Sequence, residues 1–278
     1  MQTALLTFLA LAAFAANSIL CRLALKDGAI DPVSFTQIRL LAGAAFLAPF
    51  FWVRREALLP LRGANWRPAA ALFVYAIAFS LSYVSLDAGV GALILFGTVQ
   101  FTMIGYGVLK GERPNGAQLF GAGLAFAGLV YLLAPGLSAP PILGAGLMAI
   151  AGFAWGAYSL FGKGSGDPVG ATSRNFLLCA PAALLLLLAP YEAHMQFRGI
   201  ALALASGVIA SGAGYVIWYR ALKGLANLHA AVVQLAVPII AGLGGVAFIG
   251  ETVTVRLAVS AALVLGGIFL AIRAKSES

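Results

Sequence analysis

Charged residues are scarce in this chain. Lysine and arginine number 17 and aspartate and glutamate 9 in 278 residues, so that 9% of the chain is charged, whereas 62% is hydrophobic. Soluble domains carry about a quarter charged residues. A soluble fold of this length could not cover so much apolar surface, and the composition therefore predicts an integral membrane protein.

Acidic residues are missing from the middle of the apolar segments. Glu112 and Glu251 close such segments, Glu56 follows two arginines, and the others lie in connectors or the tail: Asp27, Asp31, Asp87, Asp167, Glu192 and Glu277. Proton-driven carriers usually bury an ionisable group on the transport path. The distribution argues against a carboxylate relay, and uncoupled export or exchange is the simpler hypothesis.

Cysteine and histidine are equally rare. Cys21 and Cys179 lie in apolar segments, which indicates no disulfide framework. His194 and His229 lie near segment ends, and neither a metal-ligand spacing nor a nucleophile motif accompanies them. We therefore expect no metal, no cofactor and no enzymatic activity.

Apolar segments of bilayer-spanning length are abundant instead. Ten of them can be delimited, at approximately residues 3–25, 33–53, 68–87, 90–109, 116–134, 142–161, 172–189, 199–219, 227–248 and 256–273. About 20 apolar residues suffice to cross the hydrocarbon core. Because lipid offers no hydrogen bonds, each segment must satisfy its own backbone, which predicts helices. The expected fold is all-α, with ten transmembrane helices.

The basic residues fall mostly on one side of these segments. With the N-terminus inside, most of the 17 lysines and arginines lie in inner connectors and the C-terminal tail. The positive-inside rule then places both termini in the cytoplasm of a cell (inner) membrane protein. Membrane topology thus explains the net charge of +8 without a nucleic-acid partner. The expected partners are the lipid bilayer and a small-molecule substrate, and a monomer is the simplest assembly.

One segment of the chain occurs twice. Residues Val90–Glu112 and His229–Glu251 are both apolar runs with a glutamine near the middle, Gln100 and Gln234, and both end in Gly-Glu. The two Gly-Glu pairs are 139 positions apart, which is half of the 278 residues. The spacing indicates two copies of one membrane unit.

The two copies divide the chain into residues 1–136 and 137–278, with five helices each. Five is an odd number, so the second copy enters the membrane upside down relative to the first. Inverted repeats of this kind are a transporter architecture, with the substrate site near the middle of the membrane between the copies. We therefore expect a central cavity where the repeats meet.

Several short motifs together resemble the EamA family of the drug/metabolite transporter superfamily. They are Asn17 in the first segment, Arg39 in the second, Gly-Glu at the end of the fourth and ninth, and Pro238 thirteen residues before Glu251. The first repeat departs from this pattern at Val99, the counterpart of Pro238. Within the family, the chain is most similar to the YddG-type exporters of aromatic and other amino acids.

The resemblance implies a function. Such a protein would be a secondary transporter that exports small metabolites, in the first place amino acids including aromatic ones, by alternating access of the two repeats. It also implies a cavity walled mainly by the third, fourth, eighth and ninth helices. The alternative is a drug, sugar-phosphate or nucleotide-sugar carrier of the same superfamily. Sugar phosphates would favour several cations in the cavity, and Arg39 is the one cation that lies more than a helical turn from either end of a span.

Polar and aromatic side chains within the spans are the candidates for substrate binding. An amino acid in a largely apolar cavity needs ring faces for its side chain and a few fixed polar groups for its ends. For Arg39, contact with a substrate carboxylate and a structural anchor are both open. The candidates are Arg39, Tyr83, Gln100, Trp155, Tyr158, Tyr215, Trp218 and Gln234.

A second group of residues is expected to have structural roles. Glu112 and Glu251 are expected to bond to connector backbone or to pair with the nearby Arg113 and Arg256. A polar side chain in hydrocarbon needs a partner on another helix, so Asn17 is predicted to make an interhelical hydrogen bond. Pro238 is assigned to the same group by the resemblance.

Overall fold

A computed structural model describes residues 2–53, 65–111, 113–136, 139–162, 167–188, 191–222, 224–225 and 233–276. In this part of the chain every named element is helical, and an isolated β-bridge joins Ile30 to Met195. The first seven helices are α1 (Gln2–Leu25), α2 (Pro32–Val53), α3 (Trp66–Tyr83), α4 (Ala88–Leu109), α5 (Gly116–Leu133), α6 (Ile142–Gly162) and α7 (Pro168–Leu185), the last followed by a 3₁₀ turn (Leu186–Leu188).

The helices that follow are wound less regularly. The eighth segment consists of α8 (Phe197–Ala205), a π-helix (Ser206–Ala213) and α9 (Gly214–Leu222). The ninth contains α10 (Ala236–Gly244) and a second π-helix (Gly245–Ile249), and the tenth is α11 (Val255–Ser276).

Eight of the ten segments are long and apolar enough to cross a membrane, counted over the described residues. The remaining two are α3, which has 18 residues, and the apolar stretch Ala236–Ile249. The third segment ends at Tyr83 rather than near residue 87, because a turn follows it and α4 begins at Ala88. The first part of the predicted ninth segment lies outside the described residues.

The Gly-Glu pairs mark changes of backbone direction. Gly111 has φ 93° and Gly250 has φ 71°. Gly250 directly follows the helical part of its segment, and Gly111 is separated from the end of α4 by Lys110 alone. Glycine adopts this left-handed conformation without the penalty that a Cβ atom imposes, and it is therefore common just past helix ends. Local backbone geometry thus explains why both copies carry glycine there.

Helices α5 and α11 run antiparallel and contact each other through their backbones. A Cβ atom added at Gly267 would meet the amide nitrogen of Ala125 and the carbonyl oxygen of Gly121. One added at Gly128 would meet Val264. Small residues allow this approach between helices where lipid provides no hydrophobic drive.

These contacts are reciprocal with respect to the 139-residue spacing. Gly128 faces Val264, and Gly267 faces Ala125. Residue 267 is 139 positions after residue 128, and residue 264 is 139 positions after residue 125. Two surfaces that are related by a two-fold axis contact each other in this way.

The helix neighbours follow the same rule. The third segment packs on the sixth, and its counterpart, the eighth, packs on the first. The fourth segment also packs on the sixth, and its counterpart, the ninth, packs on the first. The third also packs on the seventh as the eighth packs on the second. Exchanging each segment with the one five places away therefore preserves these contacts.

Candidate functional site

Arg39 is buried in the interior of the helix assembly, with 1% of its surface exposed. Its Nε donates a hydrogen bond to Ser211 Oγ at 3.1 Å, and its Nη2 donates to the hydroxyl oxygens of Tyr75 at 3.2 Å and Tyr215 at 3.3 Å. These partners lie on α3, on the π-helix of the eighth segment and on α9. The arginine thus joins α2 to two other segments and does not extend to the end of its helix.

Two aromatic rings also face the guanidinium group. Its central carbon lies 5.1 Å from the ring centroid of Tyr75 and 5.0 Å from that of Phe79. A cation over a ring face is attracted by the ring quadrupole, more strongly where water is excluded. Neutral hydroxyls and ring faces therefore stabilise a charge that would otherwise be costly to bury.

Arg39 and its contacts Tyr75, Phe79, Ser211 and Tyr215 form what we call the arginine site. Trp155 on α6 lies beside this site, at the centre of several rings. Its ring centroid is 4.9 Å from that of Tyr75, 4.9 Å from that of Tyr215 and 5.3 Å from that of Tyr158, on which it stacks. Phe14 extends the group to Trp218 at 5.7 Å, and Phe176 contacts Tyr215 at 5.9 Å. We call Phe14, Tyr75, Trp155, Tyr158, Phe176, Tyr215 and Trp218 the Trp155 cluster.

Asn17 connects the Trp155 cluster to the first helix. Its Nδ2 donates to the Tyr75 hydroxyl at 3.1 Å, and its Oδ1 accepts a 2.6 Å hydrogen bond from Ser206 Oγ. The Tyr75 hydroxyl therefore accepts from both Asn17 and Arg39. A single phenol links three segments of the chain.

The π-helix of the eighth segment supplies two of these polar contacts. Ser206 and Ser211 both lie within its eight residues and are fully buried. Gly207, in the same stretch, lies so close to α2 that an added Cβ would meet the carbonyl oxygen of Arg39. π-Helical turns occur often at functional sites. Here the wider turn brings two hydroxyls to the buried polar groups.

Five of the predicted binding residues meet in one place. Arg39, Trp155, Tyr158, Tyr215 and Trp218 all belong to the arginine site or the Trp155 cluster. Tyr83 is connected to them through Phe79, with ring centroids 4.7 Å apart, and its hydroxyl donates to the Ala88 carbonyl at 3.3 Å.

The two predicted glutamines are buried in the fourth and ninth segments. Gln100 is buried in α4, and its Nε2 has no hydrogen-bond acceptor within the described part of the chain. Gln234 is buried just before α10 begins. Pro238 is buried near the start of α10. A role in substrate binding for either glutamine stays a prediction.

A second polar cluster lies at the end of α1. Arg22 Nε is 3.1 Å from Glu251 Oε1 and its Nη2 is 3.1 Å from Asp87 Oδ1, while its Nη1 donates to the carbonyls of Tyr83 and Val84. Glu251 Oε2 accepts a 2.9 Å hydrogen bond from the amide of Ala88. Arg22, Asp87, Ala88 and Glu251, the Arg22 cluster, thus join the ends of α1 and α3, the start of α4 and the connector after the ninth segment.

The environment of Glu251 has two notable features. Burial raises the pKa of its carboxyl above the ordinary value of 4.5; the charge of Asp87 adds to the rise, whereas the Ala88 amide and Arg22 oppose it. Gly245 leaves the space that the carboxylate occupies, because an added Cβ there would meet Glu251 Oε2.

The sequence suggested Arg256 as the partner of Glu251, and the structure gives Arg22 instead. Arg256 donates to the carbonyls of Leu132 and Ala134 at the end of α5 and lies over the Tyr131 ring. Residues near in sequence are separated here because Arg256 starts the next helix. Glu112, the counterpart of Glu251 in the first repeat, lies outside the described residues.

Sequence reasoning missed several contributors to these clusters. Phe14, Phe79, Phe176, Ser211 and Arg22 were not among the candidates. Aromatic residues are frequent in this chain, with 18 phenylalanines alone, so no single ring is distinctive. Among the described residues, no group of three or more His, Cys, Asp or Glu residues is placed to hold a metal ion.

A family profile and a known protein both match this chain over most of its length. The sequence profile of the EamA-like transporter family matches this chain twice, at residues 1–134 and 142–273. An uncharacterized protein of Pseudomonas aeruginosa is 53% identical over 270 residues, covering 97% of this chain and 94% of that protein.

More distant relatives carry transporter names. The uncharacterized transporter YwfM of Bacillus subtilis is 27% identical and aligns over 89% of this chain and 86% of its own length. A Salmonella typhimurium protein named "Probable amino-acid metabolite efflux pump" is 26% identical, over 83% of this chain and 84% of its own length. One solved crystal structure superposes with a TM-score of 0.63 at 22% identity, covering 95% of this chain and 97% of that one, which shows a shared fold.

Proposed function

The chain belongs to the EamA-like transporter family, and from that premise we propose that it is a secondary transporter that exports small metabolites, in particular amino acids including aromatic ones. The multi-pass helical fold and the transporter names of its relatives support transport across a membrane. The name of the Salmonella typhimurium relative favours amino acids as the cargo. The distribution of basic residues favours an orientation in the inner membrane with both termini in the cytoplasm, and the efflux name of the same relative favours export as the direction of transport.

One observation carries the substrate proposal: a buried guanidinium group lies among aromatic ring faces. Arg39 and Trp155 both contact Tyr75 and Tyr215. A cation beside flat apolar surfaces complements a molecule with an acidic group at one end and a ring at the other. Aromatic amino acids are such molecules.

The proposed transport cycle is alternating access of two inverted repeats. The family profile matches each half of the chain separately. The reciprocal contacts of Gly128 with Val264 and of Gly267 with Ala125 are those expected around a two-fold axis. The exchangeable helix neighbours support the same symmetry. When two repeats are related by an axis in the membrane plane, two equivalent movements can open the central site, one toward each side of the membrane.

The Arg22 cluster would close one face of the protein in this cycle. With the N-terminus inside, the end of α1 that carries Arg22 lies at the outer face. The counterpart of Arg22 in the second repeat is Phe161, 139 positions later, so the same ion pair cannot form at the inner face. Opening the outer face requires Arg22 to leave Glu251, and the inner face opens without that cost.

Burial of the arginine site agrees with a closed conformation. Arg39 is 1% exposed, Tyr215 3% and Trp155 5%. A substrate therefore reaches these side chains only after helices separate, as alternating access requires. In the sugar-phosphate alternative, several cations would surround the site, whereas Arg39 is the one cation that lies more than a helical turn from either end of a predicted span.

Counterflow in liposomes tests the proposal. The purified protein is reconstituted with unlabelled substrate inside, and uptake of labelled phenylalanine, methionine, threonine and glucose 6-phosphate is measured. Exchange of the amino acids, phenylalanine above all, is expected. Exchange of the sugar phosphate alone would support the alternative, and exchange of none of the four would overturn the proposal.

Two variants test in the same assay whether the altered residues belong to the substrate site. Trp155→Ala and Gln100→Ala are expected to lower phenylalanine exchange in protein that still folds. Trp66→Ala is the matched control, since Trp66 is 46% exposed at the start of α3. Wild-type exchange by Trp155→Ala or by Gln100→Ala would remove that residue from the site.

A further inference from the structure

Arg39 carries a buried positive charge and forms no ion pair with an acidic side chain among the described residues. The ion pairs of Asp87 and Glu251 are with Arg22. The sequence also places all nine acidic residues in connectors, at segment ends or in the tail. A buried charge without a counter-charge is costly and persists at sites of function.

One end of the guanidinium group is also without a hydrogen-bond acceptor. Nε and Nη2 bond to Ser211, Tyr75 and Tyr215, whereas Nη1 has no acceptor among the described residues. An arginine presents five N–H donors in a planar fork. The N–H groups of Nη1 are therefore available to an anionic oxygen, a type of group that does not contact Arg39 among the described residues.

A carboxylate oxygen is a suitable acceptor for the free Nη1. A hydrogen bond between a guanidinium N–H and a carboxylate oxygen is about twice as strong as one between neutral groups. Arg39 offers one full positive charge, which balances one carboxylate; a phosphate monoester carries nearly two negative charges. The number of charges therefore favours a monocarboxylate.

Among the described residues, no acidic side chain contacts Arg39 that could pair with an ammonium group. The groups around Arg39 are hydroxyls and rings, namely those of Ser211, Tyr75, Tyr215 and Phe79. The polar neighbour Asn17 already accepts a hydrogen bond from Ser206 through its Oδ1. An ammonium group would be placed near a like charge, with neutral oxygens and ring faces for compensation.

We propose that Arg39 is the receptor for a single substrate carboxylate, and that the site takes aromatic monocarboxylates that lack an amino group at least as well as amino acids. This inference rests on the proposed transport function and extends its substrate class. Arg39 and its three hydroxyl partners supply the carboxylate end of the site. The Trp155 cluster supplies the apolar end.

Binding of three molecules with the same ring tests the inference. They are 3-phenylpropionate, which has only the carboxylate, phenylalanine, which has both groups, and phenethylamine, which has only the ammonium. The thermal stabilisation of purified protein in detergent gives the affinity of each. We expect 3-phenylpropionate to bind as tightly as phenylalanine or more tightly, and phenethylamine to bind about tenfold more weakly or worse. Phenethylamine affinity equal to that of 3-phenylpropionate would overturn the inference.

Substitutions at Arg39 provide the second readout. Arg39→Gln should weaken 3-phenylpropionate binding by about 10-fold to 100-fold, the loss expected for a charge-assisted pair. Arg39→Lys keeps the charge but not the fork, so its affinity should be intermediate. Arg113→Gln, in an exposed connector position, is the control with wild-type affinity. Unchanged 3-phenylpropionate affinity in folded Arg39→Gln would also overturn the inference, and the wild-type ligand series decides the matter if Arg39→Gln does not fold.

The transport assay separates this inference from the proposal on which it rests. If labelled phenylalanine exchanges but 3-phenylpropionate does not compete with it, the carboxylate inference is wrong and transport stands. If 3-phenylpropionate binds in an Arg39-dependent way but nothing exchanges in liposomes, transport is wrong and the carboxylate site stands.

Discussion

The Nε atom of Arg22 lies 3.1 Å from Oε1 of Glu251, although the two residues are 229 positions apart in the chain. The contact joins the end of the first helix to the connector after the ninth segment. Asp87 and the start of α4 complete the cluster. If the face that bears Arg22 opens during transport, this ion pair is the interaction that must break.

A double-mutant cycle measures the coupling between Arg22 and Glu251. Arg22→Gln and Glu251→Gln are each expected to destabilise the protein, and their effects should not add, with a coupling of about 0.5 to 3 kcal/mol. Unfolding in detergent gives the free energies. Lys26→Gln is the control, because the Lys26 ammonium group donates to the Ile249 carbonyl at an exposed position and should show additive effects with Glu251→Gln. Additivity of the Arg22 and Glu251 effects would show that the pair contributes nothing to stability.

The raised pKa of Glu251 predicts a pH dependence with a defined sign. Burial makes the ionised carboxylate less favourable in the folded protein than in the unfolded chain. The contribution of Glu251 to stability is therefore full below its ordinary pKa of 4.5 and is lost as the pH rises through the raised value. Wild-type protein should gain stability relative to Glu251→Gln as the pH falls from neutral. Thermal unfolding of both proteins between about pH 5 and 8 checks this, and a difference that is constant or opposite in sign would contradict it.

The contact between α5 and α11 predicts opposite outcomes for two adjacent glycines. Gly267→Ala would place a methyl group against the backbone of α5, whereas nothing lies within 4 Å of a Cβ added at Gly266. Overpacking costs about 1 to 3 kcal/mol, and alanine favours a helix over glycine by about 1 kcal/mol. Gly267→Ala should lower the midpoint of thermal unfolding, and Gly266→Ala should leave it unchanged or raise it. Equal effects would mean that the two helices do not approach so closely.

Removal of the Tyr75 hydroxyl tests whether it positions the arginine site. Tyr75→Phe deletes the acceptor shared by Asn17 and Arg39 but keeps the ring contact with Trp155. Hydrogen bonds to charged groups contribute about 1.5 to 3 kcal/mol, so the half-saturating phenylalanine concentration should rise by about tenfold or more. Tyr106→Phe is the control, since Tyr106 is 44% exposed near the end of α4. A change in stability without a change in this concentration would limit Tyr75 to a structural role.

The arginine site shows how far reasoning from the sequence could go. Arg39 and Trp155 were both identifiable, one as the single cation more than a helical turn from either end of a span and the other as an aromatic residue within a span. Ser211 was not, because a serine in a helix next to glycines has many ordinary reasons to be there. Its role depends on the π-helix at Ser206–Ala213, and that change of winding has no distinct pattern in the sequence. The Arg22–Glu251 pair was missed because proximity in sequence favoured Arg256.

The sequence by itself determined that the chain crosses the membrane as helices and roughly where each helix lies, and it predicts that the two halves repeat. These properties follow from about twenty apolar residues at a time, because each segment must satisfy its own backbone in lipid. Only the tertiary structure decided which side chains share a site. Arg39 meets Ser211 across 172 positions and Arg22 meets Glu251 across 229, and such contacts depend on how helices pack, which is set by small residues and local winding throughout the assembly.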